Sequence, residues 1–404
     1  MNRMVMMIGT ALVAVNCLAA GQVKDSGTTF AKDALQPMVD KGSLGGAVNV
    51  FYSKGRQEVA CLGFADPDTR RKITMDDVFM QCSQTKGFCG VTVAKLVEQG
   101  KLGLDDPVAK YLPEFSELWI ELPKTNDMRR LVKAKNVLTV RMVMNHTGGF
   151  PFELPNCVAM GGWSRRMPLR SVAATAASQP IAFEPGTKAS YSNVGIDIGA
   201  AVVEKVTGMR WEKFLQKTVL DPLGMKSSSF WPTDRQLATK MEIQCPIPDK
   251  RPAKVYEREW MQHPYNDDRV FPSAGAGLWT TARDQLKFYK MLMNLGLGEN
   301  GVRILKEETV KSILAVSTRP KGLGGYSLGL SAPETDSETA WFGHGGAWGT
   351  NCSVNWHTKE LSLWAVQNGQ TDEVGPLREK AEKAFFKYAL DNAGVGSYTG
   401  RVTK

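Results

Sequence analysis

The sequence predicts a mixed α/β (α+β) fold. One central antiparallel sheet is built from both chain ends and flanked by helices, with a mainly helical domain inserted between its halves. Three observations carry this expectation. Short strand-like runs bounded by polar turns occur near the start of the chain and again near its end. The middle reads as helical and irregular, punctuated by Pro and Gly. A helix around residue 90 has apolar residues over most of its circumference, so it needs cover on all sides. One sheet closed by both termini around that helix satisfies all three. The expected division is a signal peptide at 1–20, a sheet domain at 21–104 and 273–404, and the helical insertion at 105–272.

The bulk numbers fit a large globular chain. It has 404 residues, 43% hydrophobic and 23% charged, with a formal net charge of +9. That composition excludes a disordered tail, a collagen and a coiled coil, and it supplies a sizeable core. The basic clusters Arg70-Arg71-Lys72, Arg129-Arg130 and Arg165-Arg166 are scattered and not interleaved with aromatics, so no nucleic-acid groove is expected.

The elements follow in order. Arg3 precedes a largely apolar run, Met4 to Val15, and then the small residues Ala19, Ala20 and Gly21. This pattern reads as a secretory signal cut near Ala20, which implies an exported protein, periplasmic or extracellular. An uncleaved membrane anchor and lipid attachment at Cys17 are the other readings of the same segment. Residues 29–42 read as a short helix. Gly45–Tyr52 and Val59–Phe64 read as strands joined by the turn Ser53–Gln57. The apolar helix runs from about Ser83 to Gln99 and stops at Gly100. Gly87 and Gly90 inside it cost about 1 kcal/mol each relative to Ala, so a close neighbour is expected there. Further helices are expected at Thr139–Met144, Val194–Val206, Arg283–Asn294 and Leu377–Leu390. Strands are expected near Tyr326–Leu330, Ala340–Gly343, Cys352–Trp356 and Leu361–Val366. Six cysteines follow Cys17, with no metal-like spacing. Cys82 and Cys89, on one helix, are too far apart to bridge.

The candidate chemistry sits in three places. No G-x-S-x-G elbow, Walker loop or H-E-x-x-H is present. A G-x-G-x-x-G at Gly296, Gly298 and Gly301 follows a helix rather than a strand, so it reads as a surface turn. Ser83 and Lys86 stand three apart on one helix face, where the amine reaches the hydroxyl and, kept neutral by burial, can accept its proton. Tyr191-Ser192-Asn193 precedes an apolar helix. A tyrosine there can shuttle protons and an asparagine can hold an acyl or amide oxygen, although an aromatic followed by a helix cap gives the same pattern. His344-Gly345-Gly346 ends a strand where glycines admit a ligand close to the backbone; a glycine-rich turn reads the same way. His146, His263 and His357 show no metal spacing and read as structural.

In this order, Ser83-x-x-Lys86, Tyr191-x-Asn193 and His344-x-Gly346 resemble the serine β-lactamase and penicillin-binding-protein superfamily. Within it they resemble the class C-like esterase and D-aminopeptidase branches. Leu96–Phe115, Thr139–Phe150, Phe183–Asn193 and Ser273–Asp284 resemble family segments as well. The resemblance implies a β-lactamase/transpeptidase-like fold. It implies Ser83 as the acylated nucleophile, Lys86 as its proton acceptor, Tyr191 as the shuttle and Asn193 on the acyl side. The backbone N–H groups of Ser83 and Ala347 would form the oxyanion hole, and His344, Gly345 and Gly346 would line the substrate. No metal or cofactor is implied. Most lactamases carry a Lys-Thr-Gly third motif whose cation helps bind a substrate carboxylate, and neutral imidazole gives little of that attraction. The expected activity is therefore cleavage of small acyl esters by an exported serine hydrolase. The alternatives are D-amino-acid peptide or amide hydrolysis, weak β-lactam hydrolysis, or an inactive peptidoglycan- or peptide-binding protein on the same fold.

Overall fold

The computed structural model describes residues 30–123, 128–154, 167–245, 247, 252–254, 270–368, 382, 383, 385 and 386. The expected signal segment, Cys17, Cys157, Arg165-Arg166, His263 and most of the expected last helix lie outside the described residues.

The central sheet draws on both ends of the chain. Strands β1 (Gly46–Ser53), β2 (Arg56–Asp66) and β3 (Arg71–Lys72) come from the first part. Strands β4 (Phe342–Gly345), β5 (Asn351–Asn355) and β6 (Glu360–Val366) come from the last. Their spatial order is β4-β5-β6-β1-β2-β3, antiparallel throughout. β1 is the seam, with Val50 opposite Leu363 on one side and Val59 on the other. Side chains alternate across a strand, and both faces of β1 are covered. Val48 and Val50 enter the main core, whereas Ala47 and Phe51 face a second cluster with Phe30, Leu35, Trp364 and Phe385. The β1–β2 turn is tighter than expected. Only Lys54 and Gly55 lie outside the strands, both left-handed (φ 48° and 83°), the geometry of a two-residue hairpin turn.

Helix α1 (Phe30–Asp40) covers one face of the sheet, and α2 (Thr85–Glu98) lies on the other. The helices that follow are α3 (Val140–Met144), α4 (Leu169–Ala177), α5 (Asn193–Thr207), α6 (Trp211–Leu215), α7 (Asp234–Leu237), α8 (Ala282–Met293) and α9 (Glu307–Ile313). Several of these starts are set by side-chain caps, among them those of α3, α5 and α8: Thr139 accepts from Met142 N–H, Ser192 from Gly195 and Thr281 from Asp284. Gly208 ends α5 in the left-handed conformation. Helix α2 is buried nearly all round, as its sequence requires, and Phe88 stacks on Phe288 of α8 at 3.7 Å. A single apolar core runs from Val48 and Val50 of β1 through α2 to Val140 of α3 and Ile196 of α5. Sheet and helices therefore share one interior.

Two expected strands differ. Tyr326–Leu330 is a tight turn, with Gly329 left-handed (φ 73°) and Ser327 N–H bonded to the Leu330 carbonyl. This turn is the neighbour that Gly87 and Gly90 accommodate. A Cβ on Gly90 would lie 1.8 Å from Leu328 O, and one on Gly87 would lie 2.6 Å from a Leu330 methyl. The strand expected at Ala340–Gly343 starts at Phe342 and continues to Gly345, because its pairing with β5 extends to Asn351. The Gly296–Gly301 segment is a tight turn after α8, closed by Gly298 N–H to Val302 O at 2.8 Å. Cys82 and Cys89 are not bridged to each other.

Candidate active site

The first turn of the nucleophile segment is built under strain. Residues Cys82–Gln84 form a 3-10 turn that runs into α2. Cys82 has φ 50°, a left-handed conformation that costs a side-chain-bearing residue energy. It is held there by packing against Val78, Met80, Ile243 and Trp279. The turn bonds the N–H groups of Gln84 and Thr85 to Gln81 and Cys82, so Ser83 N–H comes just before the bonded pattern.

Lys86 is 0% exposed. Its Nζ donates to Ser83 Oγ at 3.1 Å, Asn193 Oδ1 at 2.5 Å and Gly275 O at 2.7 Å. Burial drives its pKa down from 10.5 to about 7, against the opposing pull of the Asp197 and Glu153 carboxylates. An ordinary lysine is charged at neutral pH, whereas burial makes the neutral form of this one accessible there. Gly275 makes the arrangement sterically possible, since a Cβ there would sit 2.7 Å from the Asn193 side chain.

Asn193 and Tyr191 are delivered by the turn into α5. Ser192 caps the helix, and Asn193 N–H is fixed to Phe152 O at 3.0 Å. The Asn193 amide is occupied at both ends, its oxygen by Lys86 and its nitrogen by Glu153 Oε1. Tyr191 is 37% exposed, its ring centroid lies 4.6 Å from Lys86 Nζ, and its hydroxyl lies on the Ser83 side of the site. Burial pushes its pKa up to about 12, only partly offset by Ser83. Tyr191 is therefore a protonated phenol across the working pH range and can donate or relay a proton. It is not a standing base.

The third segment is placed differently. Gly346 lies against the nucleophile turn, where a Cβ would be 2.4 Å from Gln81 O. Gly346 N–H bonds to Thr350 O, and Ala347 N–H follows just beyond that last bond. Thr350 Oγ1 and Gln285 Nε2 both bond to Gln84 Oε1, which ties this strand end and α8 to the turn holding Ser83. His344 is 7% exposed. Its Nδ1–H donates to the Gly345 carbonyl, so Nε2 accepts from Tyr326 Oη at 2.8 Å. Both ring nitrogens are thus engaged within the fold. Burial and the nearby Lys86 drive its pKa down to about 3.

Ser83, Lys86, Tyr191 and Asn193 converge directly, and the segment from His344 to Ala347 closes on the same turn. Sequence reasoning missed three neighbours. Asp197, one turn after Asn193, accepts from Ala274 N–H at 2.7 Å and Gly275 N–H at 3.2 Å. It positions the loop that binds Lys86, and burial followed by Glu153 raises its pKa. Its signal was a lone acid within the apolar run Val194–Val203. Glu153 had no such signal. His146, read as structural, is buried beside Tyr191 with ring centroids 4.5 Å apart, and its Nδ1 accepts from Ser192 N–H. The other described histidine, His357, forms a surface pair with Asp336.

Comparison with known proteins is consistent with this constellation. The family model described as Beta-lactamase matches residues 31–381. The chain is 28% identical over 249 residues to Esterase EstB of Burkholderia gladioli, covering 56% of this chain and 59% of that one. The structure of EstCE1, a hydrolase with promiscuous acyltransferase activity, superimposes with a TM-score of 0.69 at 21% identity, covering 87% of this chain and 97% of that one. A D-stereospecific amidohydrolase from Streptomyces sp. gives a TM-score of 0.62 at 19% identity, covering 87% and 97%. A family of hydrolases with esterase and amidase members therefore shares this fold, and the family match spans nearly all of the described residues. The chain belongs to the Beta-lactamase family.

Proposed function

We propose that this protein is a serine hydrolase that forms an acyl-enzyme on Ser83 and cleaves small carboxylic esters. The observation that carries the proposal is the buried Lys86 amine, 3.1 Å from Ser83 Oγ and with a pKa near 7. In its neutral form Lys86 accepts the Ser83 proton as Oγ attacks the ester carbonyl. The oxyanion that develops meets the N–H groups of Ser83 and Ala347. Tyr191 passes a proton to the departing alkoxide, and the alcohol leaves. Water then attacks the acyl-enzyme by the reverse proton route, releasing the acid and regenerating Ser83.

Esters are favoured over β-lactams by the third motif. A β-lactam brings a carboxylate, and His344 is buried, internally bonded and neutral, so it supplies no cation to hold one. The Streptomyces amidohydrolase keeps amide cleavage as the second reading. Export to the periplasm or beyond remains part of the proposal, on the strength of the residues 1–20 pattern.

The test is a fluorophosphonate probe followed by peptide mapping. The expected adduct is on Ser83, lost in Ser83→Ala. Folded protein that takes no label, or takes it elsewhere, would reject the mechanism and favour a binding protein.

A further inference from the structure

Asn193 is expected to present its amide to the acyl group of a substrate, yet both ends of that amide are already used. Its Oδ1 receives Lys86 Nζ at 2.5 Å, and its Nδ2 donates to Glu153 Oε1 at 2.5 Å. An amide can turn either end toward a neighbour, but a carboxylate only accepts. Glu153 therefore takes the NH₂ end, and the oxygen is left facing the lysine. We propose that Glu153 is a positioning residue for the Lys86–Asn193 pair: it fixes which end of the Asn193 amide faces Lys86, and it holds a carboxylate one side chain away from the amine that takes the Ser83 proton.

Glu153 also lines a cavity of about 350 Å³, together with the charged Arg129 and Glu121 and with Pro151, Gln179 and Ile181. Phe152 beside it is 51% exposed and stacks on Tyr191. A group occupying this cavity would meet a carboxylate that reaches Lys86 through a single side chain, Asn193.

Among the described residues, charged and titratable groups bear on Lys86 from several elements, and Arg129 and Glu121 face Glu153 across its cavity while Arg319 acts on His146. Asp197 comes from α5, Glu153 from the 151–154 loop, Tyr191 from the turn before α5, and Cys82 from the nucleophile turn. His146 comes from the loop after α3 and His344 from β4. Of these, Asp197 and Glu153 are the carboxylates that favour the charged lysine. They also repel each other: Glu153 raises the pKa of Asp197. Neutralising Glu153 therefore has two effects of opposite sign. The direct loss of charge lowers the Lys86 pKa. Easier ionisation of Asp197 raises it by a smaller amount, because Asp197 was already partly charged near neutral pH.

The inference rests on Ser83 and Lys86 acting as proposed above, so the experiment reads those two residues directly. The rate of fluorophosphonate labelling of Ser83 is measured from pH 5 to pH 9 in the wild type, Glu153→Gln and Glu153→Ala. In the wild type the rate rises as Lys86 loses its proton near pH 7. Glu153→Gln keeps the shape and can still accept from Asn193, so its plateau stays within about twofold while its midpoint falls by roughly half a pH unit. Glu153→Ala loses both charge and hydrogen bond. Its midpoint falls similarly and its plateau drops about tenfold or more, the scale of losing a positioning contact. A merely structural role would lower the plateau and leave the midpoint in place. An unmoved midpoint in both variants, with Ser83 labelled normally in the wild type, overturns this inference alone. No label on wild-type Ser83 overturns the hydrolase reading and this inference together. Accumulation of a stable acyl-enzyme in Glu153→Gln during ester turnover also overturns it, because that would place Glu153 on the deacylating water.

Discussion

The two walls of the site, on either side of Ser83, are built from different physics. On the α2–α5 side a buried amine is surrounded by an amide, a backbone carbonyl and two carboxylates. On the β4 side the wall is almost all backbone, and its one ionisable side chain is locked between a carbonyl and a tyrosine hydroxyl. Charge is concentrated on the proton acceptor, and none is offered to a substrate anion by the His344 strand. On the proposed reading, a site arranged this way would select for how readily the leaving group departs and would have little hold on a carboxylate.

The largest expected effect breaks the charged wall. Lys86→Met should lower ester kcat/KM by about a thousandfold or more, the upper range for removing a general base, with the protein still folded by circular dichroism. If most activity survived, Tyr191 or a water would have to take the proton, and the contrast between the walls would lose its meaning. Next in size, Tyr191→Phe should cost about a hundredfold in kcat while sparing the labelling of Ser83, because a phenol with a pKa near 12 relays protons and does not initiate attack.

The smallest expected effect sharpens the neutral wall. His344→Gln can still accept from Tyr326, so ester turnover should stay within about tenfold, a step of about 1.4 kcal/mol. The pH profile discriminates further. The folded-state pKa of Lys86 is depressed, so the base becomes available as pH rises through about 7 and is lost as pH falls below it. His344, near 3, and Tyr191, near 12, titrate outside pH 5–9, whereas Asp197, raised to about 7, titrates together with Lys86 in both proteins. Wild type and His344→Gln should therefore share one acid limb with a midpoint near pH 7 in steady-state assays. A midpoint that moved with His344 would mean that the histidine, and not the lysine, is the titrating group.

How much of this was legible in the sequence depended on distance along the chain. Ser83 and Lys86 were legible because three residues of helix fix their separation. The two-ended sheet was legible because short strand-like runs bounded by turn signals stand at both ends of the chain. The tight turn at Tyr326–Leu330 was misread as a strand because its apolar residues pack on α2 and not on a sheet neighbour. Glu153 was invisible because nothing local distinguishes a surface acid from one whose oxygen meets Asn193 across the fold. His146 was read as structural for want of metal spacing, and only the packed molecule shows that it is buried against the Tyr191 ring.

The seam strand β1 has a consequence for how the molecule comes into being. Its partner β6 lies at the far end of the chain, and the Asn49 side chain bonds to a carbonyl 314 residues away. Pairing so remote in sequence must pay its loop-closure entropy before any contact repays it, which makes assembly slow. Ser83 and Lys86 are synthesised early, yet the glycines that bring Ala347 to them lie on β4 and just beyond it, and β4 is anchored through β5 to β6. On the proposed reading, a growing chain therefore carries Ser83 for most of its synthesis without the backbone N–H of Ala347 beside it. Competence arrives in one late step, when the last strands close the sheet, and a truncation before β6 should abolish activity however well the helical part folds.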